Sequence, residues 1–222
     1  MNRLEELTVA NIQQAFFEYR ANFNEAITPF WYGAREGELI NRMLKALSPW
    51  HLSLENISWS DEGKSLAEER LTFAVPSLFA SVQVGIGGIT TSAANPNWSQ
   101  RNQFISFFQT AVDTLRGEVG QDVESQQTTL AFHVMPGEKP FREALSQFVN
   151  TKALGVENAK MLGVSSYSSD FSFVIDGSAL LPDGVFIRVT RVFPAGLRFE
   201  EMAGTIYEDE ERVLHLLRLK LQ

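Results

Sequence analysis

Hydrophobic positions along this chain recur at two different spacings, and the changes between them divide the sequence into helical and strand-forming stretches. Over residues 9–23, Ile12, Phe16, Tyr19 and Phe23 lie three or four apart, which predicts a single apolar stripe along a helix. Thr28-Pro29 ends it, because the residue before a proline avoids helical angles. Leu39, Ile40, Met43, Leu44 and Leu47 predict a second helix, stopped by Ser48-Pro49. The spacing then falls to two. Trp50, Leu52 and Leu54 alternate with polar neighbours, as do Leu71, Phe73 and Val75, and then Ala80, Val82, Val84 and Ile86. With turns such as Asp61-Glu62-Gly63, these three runs predict an antiparallel meander. The loop over 92–96 breaks the alternation.

Helical spacing returns after Asn97. Phe104, Phe108, Val112 and Leu115 share a face, with Trp98 and Ile105 beside it, and Gly117 and Gly120 are the expected stop. Thr128, Leu130, Phe132 and Val134 predict a fourth strand. Pro136-Gly137 then leads into a short helix with Pro140 near its start and Phe141, Leu145, Phe148 and Val149 inward. Two more strands are expected at 171–175 and 185–192. Leu181-Pro182-Asp183-Gly184 turns the chain between them, with proline presetting one angle and glycine supplying a positive one. In a closing helix, Thr205 and Glu208 would form a capping box, and Val213, Leu214, Leu217 and Leu221 the apolar stripe. Acids at 208–211 precede Arg212, Arg218 and Lys220, the order that complements a helix dipole. Strands grouped as meanders among helices predict an α+β fold rather than a doubly wound parallel sheet.

Composition narrows the functional classes. Hydrophobic residues make up 44% of the 222, with seventeen phenylalanines, enough for a sizeable core. A net charge of −8 and the lack of any basic run disfavour nucleic acid and anionic lipid, which are recognised through Lys and Arg. With no cysteine, disulfides, thiolate metal sites and cysteine nucleophiles are excluded. Glu5 and Glu6 stand where a signal peptide needs an apolar core. The most apolar stretch, 72–89, is interrupted by Pro76, Ser77, Ser81, Gln83 and three glycines, so it is a poor membrane span. The expectation is a cytoplasmic protein without a membrane partner.

Little in the sequence points to catalysis. His51, His133 and His215 share no metal-ligand spacing, and no acid flanks His133 to orient it, so each reads as a structural or surface histidine. Gly85, Gly87 and Gly88 lack the helix that must follow a phosphate loop, and better suit a bulge or a close strand approach. The serines at 165, 166, 168 and 169 form no nucleophile elbow and read as a solvated strand edge or turn. Glu68-Glu69 and Glu200-Glu201 read as solvated faces. The sequence therefore nominates no catalytic residue, no metal ligand and no cofactor. Aromatic runs are more suggestive. Phe16-Phe17, Phe30-Trp31-Tyr32 and Phe107-Phe108 exceed what one narrow stripe buries, since consecutive helical residues diverge by about 100°. They fit a wide core face, a subunit interface, or an apolar groove. The candidate groove residues are Phe30, Trp31, Tyr32, Trp98 and Phe107.

The meander over 50–86, the long helix after Asn97-Trp98, the strand at 130–134 and the closing helix together resemble the SecB-like fold. That group includes the bacterial export chaperone, chaperones attached to toxin–antitoxin systems, and further bacterial relatives. Residues 71–134 carry most of the likeness: two strands, a glycine-containing turn, an Asn-x-x-Trp-like helix start, then a strand. The chain departs from a minimal export chaperone in being longer, with N-terminal helices and a C-terminal hairpin added. The resemblance implies a curved antiparallel sheet of about six strands packed against helices, homo-oligomers, and apolar grooves for other polypeptides. The expected layout is one α+β domain over 1–222, with a helical extension at 1–48. The expected role is that of a non-enzymatic, chaperone-like protein acting on a polypeptide client or partner. A carrier enclosing a small apolar ligand between sheet and helices is the first alternative, and an enzyme the second.

Overall fold

The structure, a computed structural model, describes residues 8–27, 36–60, 68–95, 101–119, 123–136, 163–217 and 219–221. It is an α+β protein with a large, mainly antiparallel sheet and, among the described residues, three α-helices. The strands are β1 (Thr8–Phe23), β2 (Ile57–Ser60), β3 (Arg70–Val75), β4 (Ala80–Gly85), β5 (Gly88–Ala94), β6 (Val123–Pro136), β7 (Gly163–Tyr167), β8 (Phe171–Gly177), β9 (Val185–Phe193) and β10 (Leu219–Leu221). The helices are α1 (Glu36–Ala46), α2 (Arg101–Val119) and α3 (Phe199–Leu216). Among the described residues ten strands replace the six or so expected. β1 had been read as a helix, β2, β5 and β10 were not foreseen, and β7 had been read only as a strand edge or turn.

The chain divides into two compact units. One comprises Met1–Ala15, Thr129–Arg191 and Thr205–Gln222; the other comprises Phe16–Thr128 and Val192–Gly204. β1, β6, β9 and α3 each contribute residues to both.

In the second unit the hydrogen-bonded order is β2-β3-β4-β5-β1-β6. Antiparallel register aligns the inward side chains in rows across four strands: Val75, Ala80, Ala93 and Phe17; Phe73, Val82, Thr91 and Tyr19; Leu71, Val84, Ile89 and Ala21. All twelve are buried, so each row is a run of cross-strand contacts on one apolar face. β1 corrects the helix expected at 9–23. Ala15, Phe17, Tyr19, Ala21 and Phe23 are buried while Phe16, Arg20 and Asn22 are exposed, a period of two. The aromatic residues alone imitate helical spacing; the two alanines, too small to register as a stripe, complete the strand pattern.

The strand expected around Trp50, Leu52 and Leu54 is replaced by two short 3-10 turns, Ser48–Trp50 and Leu54–Asn56, and Leu54 is 70% exposed. Residues 61–63, whose turn was predicted, lie outside the described residues. β4 and β5 join through Ile86-Gly87, with Gly85 opposite Gly88. A Cβ on Gly88 would run into the Ala21 carbonyl of the neighbouring strand. That is the close strand approach anticipated for these glycines. α1 forms as predicted, burying Leu39 and Met43, with Leu47 buried just beyond it. α2 also forms as expected and buries Phe104, Phe108, Val112 and Leu115. It runs through Gly117 rather than stopping there.

In the first unit the order is β6-β9-β8-β7, and β10 lies parallel to the start of β1, Thr8 opposite Leu219. Leu130, Phe132 and Val134 are buried on β6, Ile175 on β8, and Val185, Ile187 and Val189 on β9. Val213, Leu214 and Leu217 from the closing helix and its end are buried too. In the β8–β9 turn the positive φ belongs to Asp183, at 60°, and not to Gly184 as expected. Aspartate tolerates this region because its short side chain can bond locally. The short helix predicted after Pro140 lies outside the described residues.

Candidate interaction surfaces

Phe107 and Phe108 both face the interior of the second unit. Phe108 stacks on Phe17 at 5.4 Å and meets Phe199 edge-on at 5.6 Å; Tyr19 meets Phe199 edge-on at 5.5 Å. Phe107 packs edge-on against Trp50 at 5.5 Å and is 0% exposed. The helical angle between the two rings does send them in different directions, but each direction is covered, one by β1 and α3, the other by the 3-10 turn after α1. Phe107 is therefore a core side chain, not part of an exposed groove as nominated. The other nominated groove residues, Phe30, Trp31, Tyr32 and Trp98, lie outside the described residues.

Two buried glutamines, neither singled out by the sequence, fasten the segment that leads into α3. The Gln126 side-chain amide donates to the carbonyls of Pro194, Ala195 and Leu197, and its Oε1 accepts the Tyr19 hydroxyl at 2.8 Å. Gln109 Oε1 accepts the Phe199 N–H at 2.9 Å, and its Nε2 donates to Asp113 at 2.7 Å. The Arg198 N–H bonds Glu201 Oε2 at 2.9 Å. Gln109 thus supplies an acceptor for the first amide of α3, which begins at Phe199 with Thr205 inside it. Of the expected capping box only the reciprocal half forms, and at other residues: Glu201 accepts the Arg198 N–H, while the arginine side chain has no acceptor to return. Beside this junction, Asn102, Ile105, Ser106, Gln109, Thr110, Asp113 and Arg198 line an open groove of about 340 Å³. Its lining is mostly polar, unlike the enclosed apolar cavity that a carrier requires.

In the first unit, a guanidinium-carboxylate pair fixes α3 to β9. Arg191 Nε and Nη2 both donate to Asp209, the Nη2 bond to Oδ1 measuring 2.7 Å; Nη1 reaches Asp170 at 3.2 Å. The Asp209 side chain is 2% exposed and that of Arg191 16%. The Arg191 guanidinium also lies 4.9 Å from the centre of the Phe171 ring. The hydrogen bonds that the guanidinium donates to Asp209 raise its pKa further above its already high ordinary value, outweighing the opposite pull of burial.

The histidines stay apart in role. His51 is an exposed left-handed residue closing a 3-10 turn, His215 is exposed in the last turn of α3, and His133 sits half-buried on β6 with Nδ1 2.8 Å from the Ser178 hydroxyl. Among the described residues no group of three or more His, Asp or Glu could hold a metal ion. Among the described residues no helix is long and apolar enough to cross a membrane.

The strand path ends, among the described residues, at β2 and at β7. β2 reads Ile-Ser-Trp-Ser and β7 Gly-Val-Ser-Ser-Tyr, without a charge or a proline in either. Trp59 on β2 is 39% exposed and Tyr167 on β7 70% exposed. Ser165 and Ser166 lie on β7 and Ser168 and Ser169 in the turn after it, all exposed, in keeping with the solvated edge read from the sequence. The second unit also exposes Phe79, at 75%, on a left-handed backbone with φ 49°. No protein-family model and no curated protein matches this chain.

Proposed function

We propose that the protein binds other polypeptides in extended conformation, by strand addition at β2 and β7, the strands that end the sheet among the described residues. This is a chaperone-like or partner-binding role of the SecB-like kind. The observation that supports it is the chemistry of β2 and β7. An edge strand offers unpaired N–H and C=O groups, and sheet proteins ordinarily guard such edges with lysine, proline or a bulge. Here both end strands are uncharged and free of proline, and each presents a half- or mostly exposed aromatic ring beside the edge. Strand addition draws affinity from main-chain bonds and selectivity from alternate side chains, which suits clients of varied sequence. The open polar groove on α2 gives no comparable support to a small apolar ligand.

The test is fluorescence anisotropy of a labelled, permanently unfolded polypeptide titrated with the protein, alongside light scattering of the protein alone. Binding that weakens at least about tenfold on Ser165→Lys or Ser58→Lys, for one charge placed on an edge, is the expected result. If the chain self-associates and the same lysines disperse it, the edges serve pairing between copies. A monomer that ignores unfolded polypeptide overturns the reading.

A further inference from the structure

The Ser178 hydroxyl holds a position that its proton count makes informative. Its oxygen accepts the N–H of Leu180 at 3.1 Å and of Leu181 at 2.9 Å, and lies 2.8 Å from His133 Nδ1. A serine oxygen has two lone pairs and one proton. Both lone pairs are taken by the backbone amides, so the proton points to His133, whose Nδ1 must be an unprotonated acceptor. That arrangement requires the imidazole tautomer with its proton on Nε2. Around this contact the 178–184 turn closes on itself, the Ser178 N–H to the Gly184 carbonyl at 2.9 Å and the Gly184 N–H to the Leu181 carbonyl at 3.0 Å.

We infer that His133 and Ser178 form a proton-operated latch on the β8–β9 turn. When the imidazole takes up a second proton, Nδ1 becomes a donor and faces an oxygen with no lone pair to spare. One amide must then be released, and the longer Leu180 bond is the one to yield. The contact with Phe186, 4.9 Å between ring centres, holds the imidazole in place while this happens. Charged groups that share its surroundings are Arg188, two residues from Phe186 on the same face of β9, Asp176, paired with Phe186 from β8, and Asp183 in the turn itself. On β1, residues 8–15 carry no titratable side chain. The latch acts on the turn, independently of what binds at the sheet edges.

Two measurements decide it. Nitrogen NMR of the imidazoles at about pH 8, above the ordinary histidine range, should show His133 with its proton on Nε2. Hydrogen-exchange protection at Leu180, corrected for the intrinsic rate, should fall by about tenfold between about pH 8 and about pH 5 in the wild type, the worth of roughly one hydrogen bond. In His133→Gln, whose amide oxygen can accept from Ser178 without titrating, protection should no longer depend on pH. A proton on Nδ1 at the higher pH, unchanged protection in the wild type, or a pH response that survives in His133→Gln would each overturn the latch.

Discussion

The two units secure a helix to a strand by opposite chemistry. In Phe16–Thr128 with Val192–Gly204 the fastening is neutral: a cluster of Phe17, Tyr19, Phe107, Phe108, Phe199 and Trp50, with Gln109 and Gln126 bonding the backbone at the start of α3. In the other unit the buried Val213, Leu214 and Leu217 are joined by an ionic contact, through Arg191 and Asp209, with a smaller share from Asp170 and Arg212. The contrast matters because the two kinds of contact fail differently. Aromatic burial loses energy in proportion to what is removed. A buried ion pair has roughly offsetting attraction and desolvation, so its loss is severe only when one partner is left behind.

The largest effect is therefore expected from Phe108→Ala, which removes the ring touching Phe17, Phe107 and Phe199. A loss of about 3–5 kcal/mol in urea unfolding is the usual cost of emptying such a site. A loss under about 1 kcal/mol would mean that the aromatic cluster is not what holds the second unit together.

Next is Asp209→Ala, at about 3 kcal/mol, because Arg191 keeps its charge in a largely buried setting. The double replacement Arg191→Met with Asp209→Leu should recover most of that loss, since neither charge then remains to be desolvated. If the double variant were as unstable as the single one, the pair would be contributing net attraction and the contrast with the neutral unit would weaken. The pH dependence has a definite sign. A basic group whose folded pKa is raised stabilises fully below its unfolded value and loses that contribution only above it. For Arg191 that loss begins only in strongly alkaline solution, so this contribution stays level through neutral and moderately alkaline pH.

Much of the fold could be read from local spacing, and the departures have identifiable causes. α1, β3, β4, β8 and β9 formed where alternation or helical spacing placed them, and in α1, β3 and β9 the buried face is made of large residues throughout. β1 was misread because its buried positions include Ala15 and Ala21, whose burial shows only once the neighbouring strands are in place. β7 has almost no apolar signal; it is a strand because β8 pairs with it, Ser165 opposite Val174. The start of α3 depends on Gln109, ninety positions away from the amide it caps. Candidate surfaces were less legible still. That Ile-Ser-Trp-Ser and Gly-Val-Ser-Ser-Tyr are uncharged is visible in the sequence, but that they are edges is a property of the whole sheet.

A smaller but still clear effect belongs to Gln126→Leu. It keeps the side-chain bulk while stripping a donor from three carbonyls and the acceptor from Tyr19. A cost of about 2 kcal/mol is expected, typical of leaving buried polar groups unsatisfied. Because no charge is involved, the cost should be the same at low and high salt. A strong salt dependence would show that this unit, too, relies on electrostatics.

The smallest expected change runs the other way. Thr91 is 0% exposed in the middle of the row Phe73, Val82, Thr91 and Tyr19, and its hydroxyl has no hydrogen-bond partner among the described residues. Threonine and valine have nearly the same shape, and both suit a strand. Thr91→Val would replace a desolvated hydroxyl with a methyl group on an otherwise apolar row. A gain of up to about 1 kcal/mol in urea unfolding is expected, with the slope against denaturant unchanged. A loss of similar size would mean that the hydroxyl has a partner in solution, such as a buried water, and that the sheet face beneath the aromatic cluster carries a polar contact the neutral unit depends on.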